Sequence, residues 1–383
     1  MPRDAPSPHG SDEVPTVPRG RHRRRLKVWV TRLCVLLVLN TLLGAVYAHA
    51  VTPPVRADDI RALNPAELPL RDDGSARSAF DPRINSQAMR PYPWRTEFFR
   101  EYTRLRYSYE PYLTLRMRDI ATRYVNLRNS IRRSWNPPAS PAGSVPTVWF
   151  LGGSTMFGED QRDLFTIPSM VSRRAAADGH PIRVVNLGVP SYLTFQEALL
   201  FEQELAILPK PDLVVFYDGV NELAVQAQFP STQPVVFPAE LNLNKPTSPI
   251  YARWADSSLG TLLWRRYAPS WASPAGAAGR PRTAAETGRA AIEFYRRGLD
   301  LARGVAADHD IPMLAFWQPA GVFHGNAAAD WAVAHLPSGV IDISHTLDGP
   351  VRETIYTDNV HTNERGARIV ADRLWTDIAP RVS

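Results

Sequence analysis

Apolar and polar positions sort this chain into three regimes. From Leu33 to Ala48 it reads L-C-V-L-L-V-L-N-T-L-L-G-A-V-Y-A, apolar on every face of a helix. Carried to Val51 the run is 19 residues, about 28 Å of helix, close to one hydrocarbon thickness. Residues 52–144 show no sustained period. The stretch 52–73 is rich in Pro, Asp and Arg, which predicts a semi-rigid stem. Glu97 to Trp135 is aromatic and arginine-rich, and Tyr124-Val125-Asn126-Leu127-Arg128 alternates like a short strand, so a small β-rich lead-in is expected there. The proline-laden Asn136 to Pro146 reads as a linker and puts a domain boundary near residue 145.

Beyond the linker, short apolar runs alternate with helical periodicity. The runs Val145–Leu151, Ile182–Leu187, Leu213–Tyr217, Ile311–Trp317 and Val340–Ile343 predict five strands. Ile167–Asp178, Phe195–Leu208, Ala284–Asp308 and Glu364–Ile378 predict the intervening helices. Buried strands alternating with amphipathic helices mean a mainly parallel, five-stranded sheet with helices on both faces, a three-layer α/β/α domain over 145–383 with flavodoxin-like winding. Such sheets bind ligands at the carboxyl ends of their strands.

Composition agrees with one sizeable domain plus appendages. The 383 residues are 44% hydrophobic and 21% charged, with 35 prolines and one cysteine, which excludes a collagen-like, coiled-coil or wholly disordered chain. With Cys34 alone, no intramolecular disulfide can form. The net charge of +6 is a property of the tail, because residues 1–32 hold eight basic and three acidic side chains. A nucleic-acid face is therefore not expected. Arginines before the apolar run and none just after it predict a cytoplasmic tail (1–32), a membrane anchor (33–51), and the remainder outside the cytoplasm of a bacterial cell. Ala48-His49-Ala50 also has the small-x-small form of a signal-peptidase site, and cleavage after Ala50 would make the protein secreted.

Three of the predicted strands end in polar or glycine-bearing turns, and a fourth polar piece lies near the C-terminus. The first runs into Gly152-Gly153-Ser154-Thr155, the second into Asn186-Leu187-Gly188, the third into Asp218-Gly219-Val220-Asn221-Glu222, and Asp358-Asn359-Val360-His361 precedes the last helix. Gly-Ser-Thr alone is ordinary turn and helix-cap chemistry. A serine, however, is activated only by a base within hydrogen-bond reach. His361 is the candidate base, and Asp358, three residues earlier, can fold back onto its other ring nitrogen.

Taken in order, these four pieces resemble the blocks of the SGNH (GDSL-type) hydrolase superfamily over roughly residues 145–383. Gly153-Ser154 matches the serine block, Gly188 the second block, Gly219-Val220-Asn221 the G-x-N block, and Asp358 to His361 the D-x-x-H block. Phe150–Gly158 with Phe216–Glu222 looks like a group of membrane-anchored bacterial members read as cell-envelope acylhydrolases. The sequence departs from the pattern at Gly153, where the family name has Asp, and at Glu222, where many members have Asp. The resemblance implies a Ser154, His361, Asp358 triad, with the backbone N–H groups of Ser154 and Gly188 and the Asn221 amide as oxyanion donors. No H-E-x-x-H, paired cysteines or Walker loop occurs, so no metal or nucleotide cofactor is expected.

The expected partners are an ester-bearing small molecule or acylated glycan, and the membrane through the N-terminal segment. The expected activity is ester hydrolysis through an acyl-enzyme. Two alternatives stay open: an O-acyltransferase that passes the acyl group to a polysaccharide hydroxyl, and a non-catalytic glycan-binding or scaffold domain. The elbow G-x-S-x-G fails because Met156 holds the last glycine position. His180, His309, His324, His335 and His345 lack an acidic residue at a telling spacing and are read as surface or loop histidines. The Trp and Tyr residues of Phe229–Trp271 are read as closing a local core, with a groove for sugars or acyl chains as the alternative. Pro269–Arg282 is read as a loop beside the site.

Overall fold

The computed structural model describes residues 27–40, 42–43, 82–138, 145–228, 282–349 and 352–382. Contacts divide the chain into two units, residues 1–55 with 243–278, and residues 56–242 with 279–383. In the first, residues 27–40 and 42–43 are helical. Large apolar side chains from Val28 to Leu43 are exposed on that helix, Trp29 at 67% and Leu36 at 62%. Among the described residues no helix is long and apolar enough to cross a membrane. Part of the predicted anchor, the predicted stem, and nearly all of the aromatic insertion and its following loop lie outside the described residues.

The second unit is built on a seven-stranded sheet. A lead-in comes first: helix α1 (Arg95–Tyr102), then an antiparallel pair, β1 (Tyr107–Glu110) and β2 (Thr114–Met117), then a hairpin of β3 (Leu127–Arg128) and β4 (Ile131–Arg132). The main sheet adds β5 (Thr147–Gly152), β6 (Arg183–Asn186), β7 (Leu213–Asp218), β8 (Met313–Trp317) and β9 (Val340–Asp342). The order is β3-β4-β6-β5-β7-β8-β9. The five predicted strands are parallel to one another, and the hairpin joins their β6 edge antiparallel through Arg132 opposite Asn186. The sheet therefore has seven strands where five were expected. The two extra strands, two residues each, are too short to show a period, and the hairpin puts part of the lead-in within the same sheet.

The period of two along each strand decides which layer it feeds. Trp149 and Leu151 of β5, and Val214 and Phe216 of β7, pack toward helices α4 (Thr194–Leu205) and α6 (Ala284–Asp308). Val148 and Phe150, with Val215 and Tyr217, pack toward α3 (Ile167–Ala177) and α8 (Glu364–Val382). Short α2 (Ser154–Phe157) follows β5, α5 (Val220–Gln228) follows β7, and α7 (Ala327–Val333) lies between β8 and β9.

Caps fix the helix starts. The Thr283 hydroxyl accepts from Glu286 N at 3.2 Å and the Glu286 carboxylate accepts from Thr283 N at 2.8 Å, a reciprocal box at the head of α6. At α8, Asn363 Oδ1 accepts from the N–H groups of Arg365 and Gly366, both at 3.1 Å, while its amide donates to the carbonyls of Ala88 and Thr354. One side chain thus ties the last helix, the loop before it and the lead-in together.

Candidate active site

Winding to one side of β5 for β6 and to the other for β7 creates a crevice at the carboxyl ends of β5 and β7. A small crevice opens there, and Gly153, Ser154, Asp218, Asn221, Gln318 and Val360 are among its lining residues. Ser154 opens α2, which Gly153 precedes in extended backbone. Its N–H, in the first turn, needs no helical partner.

Two distant pieces of sequence meet at Ser154. Its Oγ is 2.8 Å from His361 Nε2, and His361 Nδ1 is 2.7 Å from Asp358 Oδ2. The local fold follows from the D-x-x-H spacing: Asp358 Oδ1 accepts from the backbone N–H of both Val360 and His361 at 2.7 Å, which closes the turn and aims its second oxygen at the ring. His361 is 1% exposed. Burial alone would lower its pKa, but the carboxylates of Asp358 and then Glu159 outweigh that and raise it to about 9. For Asp358 burial acts upward, and the facing imidazolium, followed by Arg83, holds it well below the usual carboxylate range.

Asn221, at the head of α5, donates one amide hydrogen to Tyr192 O at 2.7 Å and is a lining residue of the crevice. Gly153 explains how Asn221 comes so close: a Cβ at 153 would stand 2.4 Å from Asn221 Nδ2, so an Asp could not sit there without a shift. Glu222 also acquires a place. Its carboxyl accepts from Thr194 N at 2.9 Å, from the Thr194 hydroxyl at 2.7 Å and from Gly219 N at 3.2 Å, bracing the Asn221 loop against α4.

Gly188 is placed otherwise than expected. Its N–H donates to Asn186 Oδ1 at 3.0 Å, and it does not line the cavity. Packing accounts for this glycine, because a Cβ would meet Phe157 N at 2.3 Å where α2 crosses the loop. In the same loop Ser191 has φ of +70°, and its N–H makes no hydrogen bond among the described residues. Sequence reasoning passed over Ser191, and equally over Arg83, Tyr102 and Glu159, which gather beside His361. The available signal was the Glu159-Asp160 pair directly after the serine turn. The histidine reading also needs one correction: His345 Nδ1 meets Asp348 Oδ2 at 2.7 Å, although the pair is exposed.

Asp160, Asp358 and His361 each bring one potential ligand atom within 4.8 Å of the others. Both His361 nitrogens are already engaged, and Arg83 brings positive charge to Asp160 at 3.2 Å. The set behaves as a hydrogen-bonded network and does not suit a metal ion.

No family model matches the sequence, and no curated protein does. Solved structures do. The chain is similar to a protein assigned to the lipolytic G-D-S-L family from Desulfitobacterium hafniense DCB-2, at 13% identity over 60% of this chain and 98% of that one, with a TM-score of 0.34. It is similar to the lipase/acylhydrolase from Enterococcus faecalis at 17% identity, over 62% and 97%, with a TM-score of 0.29. It is also similar to the psychrotrophic esterase EstA from Pseudoalteromonas sp. at 8% identity, over 61% and 97%, with a TM-score of 0.34. These three solved structures are described as a lipolytic protein, a lipase/acylhydrolase and an esterase.

Proposed function

We propose that this chain is an SGNH-type serine ester hydrolase, with Ser154 as nucleophile, His361 as general base and acid, and Asp358 as the orienting carboxylate. The observation that carries the proposal is the continuous line from Asp358 Oδ2 through His361 to Ser154 Oγ, 2.7 Å and 2.8 Å long, beside a cavity at the sheet's switch point. His361 Nε2 takes the hydroxyl proton as Ser154 Oγ bonds to the ester carbonyl carbon. Negative charge moves to the carbonyl oxygen, where the Ser154 N–H and the free amide hydrogen of Asn221 can receive it. Ser191 N–H, which makes no hydrogen bond among the described residues, is the third candidate donor in place of the Gly188 N–H that Asn186 engages. Collapse of the intermediate expels the alcohol, protonated by His361, and water repeats the cycle on the acyl-enzyme.

Hydrolysis of p-nitrophenyl acetate by the full chain, beside Ser154→Ala, tests this. Loss of turnover in the variant supports the assignment, and equal rates remove it.

The location outside the cytoplasm belongs to the same proposal. The exposed apolar face from Val28 to Leu43, flanked by the arginine-rich leader, supports seating of this segment in a bilayer. A C-terminal alkaline phosphatase fusion that is active in cells fits that topology, and an inactive one refutes it. An ester on an envelope or extracellular molecule is then the substrate class.

A further inference from the structure

The catalytic imidazole has a second carboxylate on its working side. Glu159 closes the turn that Ser154 opens, its N–H donating to Ser154 O at 3.0 Å, and it is 4% exposed. Its Oε2 lies 3.2 Å from His361 Nε2, the nitrogen that also meets Ser154 Oγ at 2.8 Å. The lead-in holds this carboxylate in place. Arg83, 6% exposed, reaches Glu159 Oε2 at 3.1 Å, and the Tyr102 hydroxyl donates to Glu159 Oε1. Burial, and after it Glu159, push the Tyr102 phenol well up, so it remains a donor.

Two protonation states of His361 see this arrangement differently. A neutral ring with its proton on Nδ1 turns a lone pair toward Nε2's neighbours. That suits the Ser154 hydroxyl, which donates, and opposes the carboxylate, which cannot. An imidazolium presents N–H to both. We infer that Glu159 is a positioning residue that stabilises the His361 imidazolium and so sets the pH range in which Ser154 can be activated, with Arg83 and Tyr102 fixing its place. Every charged group against the ring enters the balance: Asp358 on Nδ1, Glu159 on Nε2, Asp160 close by, and the opposing charge of Arg83 shared by Glu159 and Asp160. Below the raised value the ring holds its proton and cannot accept one from Ser154. Hydrolysis therefore rises with pH, while the imidazolium formed during attack is held more firmly. Only the kinetic half of this inference rests on the serine hydrolase reading.

The test uses the full chain carrying Ser154→Ala, in which the His361 ring is titrated by NMR with and without Glu159→Gln. The His361 pKa should fall by about one unit or more in Glu159→Gln and return part of the way in Glu159→Asp. An unchanged or higher value overturns the inference. With Ser154 present, the acid limb of kcat/KM for p-nitrophenyl acetate should move down in pH by the same amount. A shifted NMR titration in a protein without esterase activity would keep the role of Glu159 and remove the hydrolase reading. Hydrolysis with an unshifted titration would do the reverse. If Glu159→Gln does not fold, Tyr102→Phe leaves the carboxylate charged with one donor fewer. The His361 pKa should then rise, and an unchanged or lower value overturns the inference.

Discussion

Around His361, Asp358, Glu159 and Asp160 share an imidazole and the guanidinium of Arg83, whereas behind the β7–α5 loop Glu197, Asp218 and Glu222 share only hydroxyls, backbone amides and protons. Both groups hold three acidic side chains, and Asp218 and Glu222 of the second line the crevice beside Ser154. Among the described residues no ion pair reaches the second group. Burial raises Glu197 and Asp218 well above the carboxylate range, and repulsion adds to it, from Asp218 on Glu197 and from Glu222 on Asp218. Burial also raises Glu222, against the donors that lower it. The contrast shows that residue type does not set charge. The imidazolium and Arg83 hold Asp358 ionised, whereas in the second group the lack of a facing cation in a dry site makes protonation of Glu197 and Asp218 the less costly state.

Removing the cation is the most severe way to break the contrast. Arg83→Met leaves Glu159 and Asp160 without their guanidinium and should cost about 3–5 kcal/mol in urea denaturation. A loss below about 1 kcal/mol would mean that the first cluster does not depend on its cation. The second cluster matters through the loop it braces. Asn221→Ala should lower kcat for ester hydrolysis by about 100- to 1,000-fold while melting and circular dichroism stay unchanged.

The ionisation contrast also has a sign that titration can read. Glu197 and Asp218 bind protons more tightly folded than unfolded. The stability they contribute is fully present below the ordinary carboxyl range and is lost as pH rises through their raised values. Denaturation midpoints should decline with increasing pH from about 5 upward, and Glu197→Gln should flatten that slope by up to one proton's worth, about 1.4 kcal/mol per pH unit. An identical slope in the variant would show that the second cluster holds no extra proton. The smallest effect is expected outside both clusters: Asp348→Asn, at the exposed pair with His345, should move stability by no more than about 0.5 kcal/mol.

Much of this architecture was legible in the sequence because it rests on local patterns. The strands and helices after residue 145 announce themselves by apolar runs and periodicity, and Ala284–Asp308 has the bounds its pattern predicts. The D-x-x-H turn is legible for the same reason, since three residues suffice to fold the acid onto the ring. The environment of His361 was not legible. Arg83 and Tyr102 arrive from a region with no periodicity, and nothing local marks an arginine as one that will meet a carboxylate 76 residues later. Gly188 misled because a glycine required for packing against α2 looks in sequence like one required near substrate. Glu197 was hidden among apolar neighbours on the buried face of its helix.

The double tie made by Asn363, to Ala88 and to Thr354 in the loop before the last helix, bears on how this protein can be shortened in the laboratory. Cutting at the apparent linker near residue 145 would spare every residue of the proposed triad, yet remove Ala88, Tyr102 and Arg83. A trimmed form meant for kinetics or crystals should therefore begin upstream of Pro82, because Glu159, beside His361, and Asn363 are both bonded to groups contributed by the first third of the chain.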